Sequence, residues 1–265
     1  MDTEIIREHY NNNLADEWAR IDNRPEFLLT CRMLNRHIKP GDKVLDIGGG
    51  PGRYSLYLAE KGCDVTLYDL SEANTNHAAE KAAERGLQLR TITGDARIAD
   101  NTLAKNQFDH VLLMGPLYHL LEEADRIKAT QAAVNLAKPG GLLYAAFINM
   151  TAGMIYAMRE APDILKLPEE VDYINCFIEK RSYAGDGFTR VFFAEMSEIL
   201  PFMSKFPLEK LHLFGQESIM FPCEDNIMAQ PQDIVDKWLD LCEKIWEREE
   251  LLSFSEHLMY IGRKV

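Results

Sequence analysis

Long apolar runs, paired cysteines and basic clusters are all missing from this sequence. No apolar run in its 265 residues approaches the length needed to cross a bilayer, so we expect no membrane partner. The acidic N-terminus, residues 1–4, lacks the basic and then apolar pattern of a secretory signal, which predicts a cytoplasmic location. The five cysteines are far apart and form no C-x-x-C pair, which argues against a disulfide framework and a zinc knuckle. The histidines show no metal-ligand spacing either, so we predict no metal.

The charge balance is acidic, with 29 Lys and Arg against 42 Asp and Glu and a formal charge of −13. The densest basic clusters, Lys180-Arg181 and Arg263-Lys264, are each two residues long. Nucleic-acid-binding proteins usually carry a basic excess or a basic stripe. We therefore expect a small neutral or cationic partner and disfavour nucleic acid. The sequence gives no indication of the oligomeric state.

Strands and helices alternate through the middle of the chain. Residues 1–40 have apolar residues at helical spacing and predict an N-terminal helical segment. The next part predicts helices that alternate with strands at 43–47, 64–68, 89–93, 108–114 and 142–147. This alternation predicts an α/β fold, a mostly parallel sheet with helices on both faces.

The pattern loosens after residue 149. We predict that 150–205 is a cap or insertion, with helices at 152–160 and 194–205 around an irregular middle. Two further strands are predicted at 208–215 and 256–262, with a long helix at 231–252 between them. Since no linker or repeat is present, we interpret 1–265 as a single domain.

The glycine-rich stretch Val44-Leu45-Asp46-Ile47-Gly48-Gly49-Gly50-Pro51-Gly52-Arg53 is the most specific local signal. It predicts a buried strand that turns sharply into a helix, with a backbone that a ligand can approach because glycine has no Cβ. The dinucleotide pattern G-x-G-x-x-G fails, since Arg53 occupies the sixth position, and a P-loop is absent. The spacing that fits is acid-x-G-x-G-x-G, which starts at Asp46.

Four successive predicted strands end in informative residues: the glycine loop, Asp69, Asp95 and Met114-Gly115. In a parallel sheet these strand ends lie on one rim, where ligands of α/β proteins bind. The carboxylate of Asp69 can accept hydrogen bonds from the two hydroxyls of a ribose, and Asp95 can accept from the exocyclic amine of a purine. Together these acids fit an adenosine.

The ordered motifs resemble those of class I S-adenosylmethionine-dependent methyltransferases. The resemblance covers roughly residues 40–150 and rests on Val44–Gly52, Tyr68-Asp69, Gly94-Asp95-Ala96, Phe108–Met114 and Leu136–Gly141. It implies a Rossmann-like, seven-stranded sheet whose last strand is antiparallel. It also implies S-adenosylmethionine as the cofactor, S-adenosylhomocysteine as the product, and methyl transfer to a small-molecule acceptor as the function.

The resemblance further implies a set of cofactor-binding residues. Gly48 and Gly50 are expected beside the amino acid part of the cofactor, Asp69 at the ribose, and Asp95 with Ala96 at the adenine. The complete predicted set is Tyr10, Asp46, Gly48, Gly49, Gly50, Arg53, Asp69, Leu70, Asp95, Ala96, Met114 and Gly115. Most of these residues also have an alternative role that stays open here. Asp46 could bind loop amides instead of the ligand, Asp69 could cap the next helix, and Asp95 could be a turn acid. Arg53 could simply begin its helix, Tyr10 could pack in the core, and the glycines could serve packing only.

Candidate catalytic residues follow the fourth strand. The stretch Met114–Tyr118 lacks the [D/N]-P-P-[Y/F] motif of enzymes that methylate the amino groups of nucleic acid bases. Tyr118 ends this stretch and His119 follows it. A histidine can act as a base near neutral pH. The alternative is that both side chains pack the loop. Seven of the eleven methionines fall in 150–228, and we predict that this region forms a lid over a small, partly apolar acceptor.

Other functions remain open at this stage. The chain could bind S-adenosylmethionine without catalysis, as a sensor or a partner subunit. It could methylate RNA or protein, although no basic or extended groove is evident. A nicotinamide dehydrogenase is disfavoured by Arg53, and arsenite methylation by the wide spacing of the thiols.

Overall fold

The computed structural model describes residues 2–20 and 23–265, so Met1, Ile21 and Asp22 of the predicted helical segment lie outside the described residues. The strands are β1 Lys43–Ile47, β2 Asp64–Asp69, β3 Arg90–Thr93, β4 Phe108–Leu113, β5 Ala137–Asn149, β6 Tyr183–Asp186, β7 Arg190–Ala194, β8 Leu208–Gly215 and β9 His257–Lys264. The α-helices are α1 Asp2–Asn12, α2 Leu14–Arg20, α3 Pro25–His37, α4 Arg53–Glu60, α5 Glu72–Glu84, α6 Ala99–Thr102, α7 Glu123–Leu136, α8 Met150–Glu160, α9 Val171–Ile178, α10 Met196–Met203, α11 Glu224–Met228 and α12 Gln232–Ile245.

One mixed sheet organises the described chain. Its main order is β3-β2-β1-β4-β5-β9-β8, with β1 to β5 parallel and β9 antiparallel to both β5 and β8. Tyr144 of β5, for example, pairs with Ile261 of β9. The predicted α/β class and the antiparallel last strand are therefore confirmed.

The two faces of the sheet pack against separate cores because side chains alternate along each strand. In β1, Leu45 and Ile47 join the core under α7 and α10, whereas Val44 joins the core under α3, α4 and α12. All three side chains are fully buried. Burial of such an aliphatic side chain contributes about 1.5–3 kcal/mol, so the two cores hold the strand ends in fixed positions.

The predicted number of seven strands is wrong, since the described residues form a nine-stranded sheet. The two additional strands, β6 and β7, form a hairpin inside the predicted cap, and β7 pairs in parallel with the last residues of β5. These strands are four and five residues long, too short for a clear alternating pattern, which is why the sequence predicted an irregular middle there. The helix predicted from residue 194 begins instead at Met196.

The cap packs around a small core of its own. Buried residues from α8, α9 and the hairpin form this cluster, namely Met150, Tyr173, Cys176, Tyr183 and Val191. Met203 and Met220 belong to the two main cores. Buried methionines of this region thus fill protein cores. Among the described residues, no helix is both long and apolar enough to cross a membrane.

Candidate functional site

A cavity lies at the carboxyl ends of β1 to β4. Every residue that the sequence predicted as cofactor-binding or catalytic lines this cavity: Tyr10, Asp46, Gly48, Gly49, Gly50, Arg53, Asp69, Leu70, Asp95, Ala96, Met114, Gly115, Tyr118 and His119. The convergence follows from the parallel sheet, which brings the loops after successive strands to one rim.

The glycines of the first loop have different roles. A Cβ on Gly48 would lie 2.4 Å from Cδ of Pro116, so a side chain there would separate the loops after β1 and β4. Gly115 makes the same contact from the other side, since its Cβ would lie 2.8 Å from the carbonyl oxygen of Gly48. Gly50 has a φ of +55° and open space where a Cβ would point. Its backbone is therefore bare toward the cavity.

Asp69 organises the glycine loop. Its carboxylate accepts hydrogen bonds from the amide of Gly50 at 2.9 Å, the amide of Ser71 at 2.8 Å and Nδ2 of Asn74 at 3.2 Å. Burial raises the pKa of this carboxyl. Two oxygens can accept about four hydrogen bonds, so these three donors leave limited capacity for a ligand. The carboxylate fixes the loop in addition to any contact with a ligand.

Within the described residues, one carboxylate oxygen of Asp46 forms a hydrogen bond and the other does not. Its Oδ2 accepts from the hydroxyl of Ser55 at 2.7 Å, and its Oδ1 has no hydrogen-bond partner among the described residues. Burial raises the pKa of this carboxyl to about 7. The expected alternative, hydrogen bonds to loop amides, is not what the structure shows. A buried acceptor without a partner is costly, so this atom suits a donor on a bound ligand.

Asp95 is engaged by a neighbour that the sequence did not single out. Both of its carboxylate oxygens lie 3.0 Å from Nε of Arg97, which also contacts Asp125 and the hydroxyl of Thr3. Although burial opposes it, this guanidinium lowers the pKa of the Asp95 carboxyl. Arg97 lines the cavity and connects the β3 end to α1.

Tyr10 and His119 form a hydrogen-bonded pair. The hydroxyl of Tyr10 lies 2.5 Å from Nε2 of His119, and Nδ1 of His119 lies 3.1 Å from the carbonyl oxygen of Arg190. A carbonyl only accepts, so Nδ1 carries the ring proton and Nε2 presents a lone pair toward Tyr10. Burial lowers the pKa of His119 to about 4, which keeps the ring neutral at pH 7.

Tyr118 and Arg53 make protein contacts in addition to lining the cavity. The hydroxyl of Tyr118 donates to the carbonyl of Met114 at 2.9 Å, and burial raises its pKa. Arg53 begins α4, and its guanidinium lies 3.7 Å from the centre of the Trp18 ring while Nε donates to the Trp18 carbonyl at 2.8 Å. Arg53 thus attaches the N-terminal segment to the glycine loop.

The cover of the cavity comes from the N-terminal helices. Thr3, Ile6, Glu17, Arg20 and Glu26 are lining residues that the sequence did not identify, whereas none of the lining residues in the described ranges comes from 150–205. The cap contacts the site at His119. It supplies the carbonyl of Arg190, and its Phe188 ring lies 5.7 Å from the His119 ring.

A buried group of charged side chains adjoins this cavity. Glu26, Glu217 and His257 each place a polar atom within 4.8 Å of the others, a geometry that could hold a metal ion. Nδ1 of His257 lies 2.8 Å from Oε1 of Glu217. Burial lowers the pKa of His257, but the carboxylates of Glu26 and Glu217 outweigh it and raise that pKa to about 9. The sequence could not indicate the group, because its members are remote along the chain.

Because of the ion pair between His257 and Glu217, we expect the protein to become less stable as the pH rises. The folded-state pKa of His257 lies above the ordinary value of about 6.5, so its stabilisation is complete below pH 6.5 and is lost as the pH approaches 9. Deprotonation of His257 over this pH range should lower the free energy of unfolding by about 3 kcal/mol. Urea unfolding at pH 6.5 and pH 9 should show this loss in the wild type but not in His257→Gln. An equal loss in the variant would assign it to other groups.

Comparison with known proteins gives one family and several relatives. Residues 44–141 match the family model described as "Methyltransferase domain". The ubiquinone biosynthesis O-methyltransferase of Stutzerimonas stutzeri is 36% identical over 124 residues, which are 46% of this chain and 51% of that protein. A glycine/sarcosine N-methyltransferase of Parasynechococcus marenigrum is 30% identical over 150 residues, 54% of this chain and 51% of that protein. The chain thus spans about half the length of the curated relatives it matches.

A solved structure supports the fold over nearly the whole chain. The 1,6-didemethyltoxoflavin-N1-methyltransferase of Burkholderia thailandensis, crystallised with bound 1,6-didemethyltoxoflavin and S-adenosylhomocysteine, superposes with a TM-score of 0.62. The alignment covers 99% of this chain and 88% of that one at 16% identity. At this identity the match shows a shared fold.

Proposed function

We propose that the chain is a class I S-adenosylmethionine-dependent methyltransferase and that it transfers the methyl group of S-adenosylmethionine to a small molecule. The observation that carries this proposal is the cavity at the carboxyl ends of β1 to β4. It joins the bare backbone of Gly50 and the carboxylates of Asp46 and Asp69 to the candidate catalytic residues His119 and Tyr118. We propose a cytoplasmic location on the sequence argument alone.

The residues present fit this cofactor. The free Oδ1 of Asp46 suits the ammonium of a methionine moiety, and the open space at Gly50 leaves room for a ligand beside the backbone. Asp69 would hold the ribose with its remaining acceptor capacity. Asp95 and Ala96 would border the adenine, with Arg97 keeping the Asp95 carboxylate in place. The cofactor, when bound, supplies an activated methyl group for an in-line displacement.

The chain's own contribution is to place the acceptor, exclude water and receive a proton. Helices α1 and α2 cover the cavity, so water is excluded mainly by the N-terminal segment. Nε2 of His119 is unprotonated, and it can take a proton from an acceptor directly or through the hydroxyl of Tyr10. The Arg190 carbonyl fixes the ring so that this lone pair stays turned toward Tyr10.

The other candidate functions have less support. The acidic charge of the chain disfavours RNA as the acceptor. A module that binds the cofactor without catalysis would use the same loop and the same acids. It differs only in turnover, so formation of S-adenosylhomocysteine in the presence of screened amines, phenols and thiols would distinguish it from an enzyme.

Two matched glycine variants test the cofactor site. Gly50 and Gly86 both have left-handed φ, +55° and +67°, and neither has a heavy atom within 4 Å of the position of a Cβ. Alanine at either position should cost about 1 kcal/mol of stability through backbone strain. Only Gly50→Ala adds a methyl group inside the cavity, so only this variant should weaken S-adenosylhomocysteine binding, by about tenfold, in calorimetric titrations. Equal affinities of the two variants would remove the Gly50 backbone from the cofactor site.

A further inference from the structure

A second cavity lies between α7 and α10, against strands β5 and β7. Among the described residues it shares no lining residue with the cavity at the glycine loop. Its wall is largely apolar and is formed by Phe147, Phe192, Ala194, Ile199, Pro201 and Phe202. Four charged residues also line it, namely Glu123, Arg126, Glu198 and Lys205. An apolar wall with a few polar groups is the usual composition of a site for a small molecule.

Arg126 is the buried charge of this second cavity. The residue is 8% exposed, and its guanidinium carbon lies 3.5 Å from the centre of the Phe192 ring. Nη1 donates to the carbonyl oxygens of Leu120 and Leu121 at 2.7 Å and 2.6 Å. Within residues 2–20 and 23–265, Nε and Nη2 donate no hydrogen bond. These two atoms carry the remaining N–H donors of the guanidinium, which are therefore left for a ligand.

The acidic side chains at the second cavity do not neutralise Arg126. Glu123 and Glu198 are exposed, and they contact the ammonium of Lys205 and the hydroxyl of Ser182 instead. Burial lowers the pKa of the Arg126 guanidinium, and both glutamates act on it only at longer range. Buried arginines are normally paired, because an unpaired charge away from water is costly. Water can satisfy the free N–H groups, but only an anion supplies the opposite charge.

The free edge of the guanidinium matches a carboxylate. Nε and Nη2 point their N–H groups in parallel, and this fork fits the two oxygens of a carboxylate. A phosphate dianion would need a second cation for neutralisation, and Lys205 is already paired with Glu123. The rings of Phe147 and Phe202 lie on the apolar wall, where the body of an organic acid can pack. Charge and shape therefore both favour an organic monoanion.

We propose that the second cavity binds a small carboxylic acid, with its carboxylate on Nε and Nη2 of Arg126 and its apolar body against Ile199 and Phe202. Arg126 also holds the carbonyl of Leu120, a lining residue of the first cavity, so the occupant contacts the side chain that fixes the segment after His119. Occupancy of this site requires neither S-adenosylmethionine nor turnover. Its failure and the failure of the proposed function are therefore observed in separate experiments.

Benzoate and benzamide, which have the same shape, provide the test because only benzoate is anionic at pH 7. Each is titrated by NMR into the full chain without cofactor. We expect benzoate to bind at least about tenfold more tightly than benzamide, since only the carboxylate offers charge and two acceptors to the fork. Intermolecular NOEs should connect the benzoate ring to the methyl groups of Ile199. Equal affinities, no binding of benzoate, or NOEs to Ile6 of the first cavity instead would each overturn the proposal.

Three arginine variants show whether Arg126 causes the preference. Arg126→Met retains an apolar side chain of similar length and should bind the two probes equally. Arg126→Lys keeps the charge without the fork and should retain part of the preference. Arg263 is exposed and contacts Glu209, so Arg263→Met should retain all of it. A full preference in folded Arg126→Met would contradict the proposal. The NOEs to Ile199 are measured in the wild type, so they decide the question even if Arg126→Met fails to fold.

Discussion

Replacement of His119 by Asn should slow methyl transfer by at least about tenfold, which is less than a base with a pKa near 7 contributes, because a pKa of about 4 makes this ring a weak base. Asn retains a donor near Nδ1, where it can still meet the Arg190 carbonyl, but it removes the Nε2 lone pair that faces Tyr10. S-adenosylhomocysteine affinity should change by less than about twofold, since the substitution removes no predicted cofactor contact. The measurement is the rate of S-adenosylhomocysteine formation with an acceptor that the wild type methylates.

The pH profile adds a readout that a packing residue would not affect. Burial holds the pKa of His119 at about 4. As the pH is lowered, kcat should therefore not fall near pH 6.5, where an exposed histidine takes up its proton. Tyr10→Phe should retain the ring contact and the fold, and it should lower the rate less than His119→Asn does. Wild-type rates in His119→Asn would show that the residue only packs the loop.

Replacement of Asp69 by Ala should weaken S-adenosylhomocysteine binding by about 10–100-fold. A hydrogen bond to a charged group contributes about 1.5–3 kcal/mol, and this carboxylate also holds the amides of Gly50 and Ser71. Part of the loss should therefore come from a displaced glycine loop. Calorimetric titration of the variant measures the affinity directly.

Asp64 provides the matched control for that experiment. It begins β2, the strand that Asp69 ends, and it is exposed at the opposite edge of the sheet. Asp64→Ala should leave the affinity unchanged. If Asp69→Ala retains wild-type affinity while its fold is intact, the residue does not contribute to the cofactor site.

Patterns local to one element were sufficient to predict the cavity. Buried parallel strands produce near-continuous apolar runs, so β1, β2, β4 and β5 could be identified from sequence together with the residues at their ends. The loops after these strands then converge because of the parallel sheet. This is why Gly48, Asp69, Asp95 and Met114 line one cavity.

Contacts between remote parts of the chain could not be predicted in this way. The pairing of Tyr10 with His119 joins residues 109 positions apart, and the group formed by Glu26, Glu217 and His257 depends on three separate parts of the chain. Neither has a spacing that a sequence pattern could show. The β6–β7 hairpin was missed because its strands are short.

The central claim is that the cavity binds S-adenosylmethionine and its product, and calorimetric titration of the wild-type chain with S-adenosylhomocysteine and NAD tests it most directly. We expect one S-adenosylhomocysteine per chain and no heat of binding from NAD. The glycine loop does not match the dinucleotide pattern G-x-G-x-x-G, because Arg53 stands where the third glycine would be. Folded protein that binds NAD, or that leaves S-adenosylhomocysteine unbound, would contradict the account.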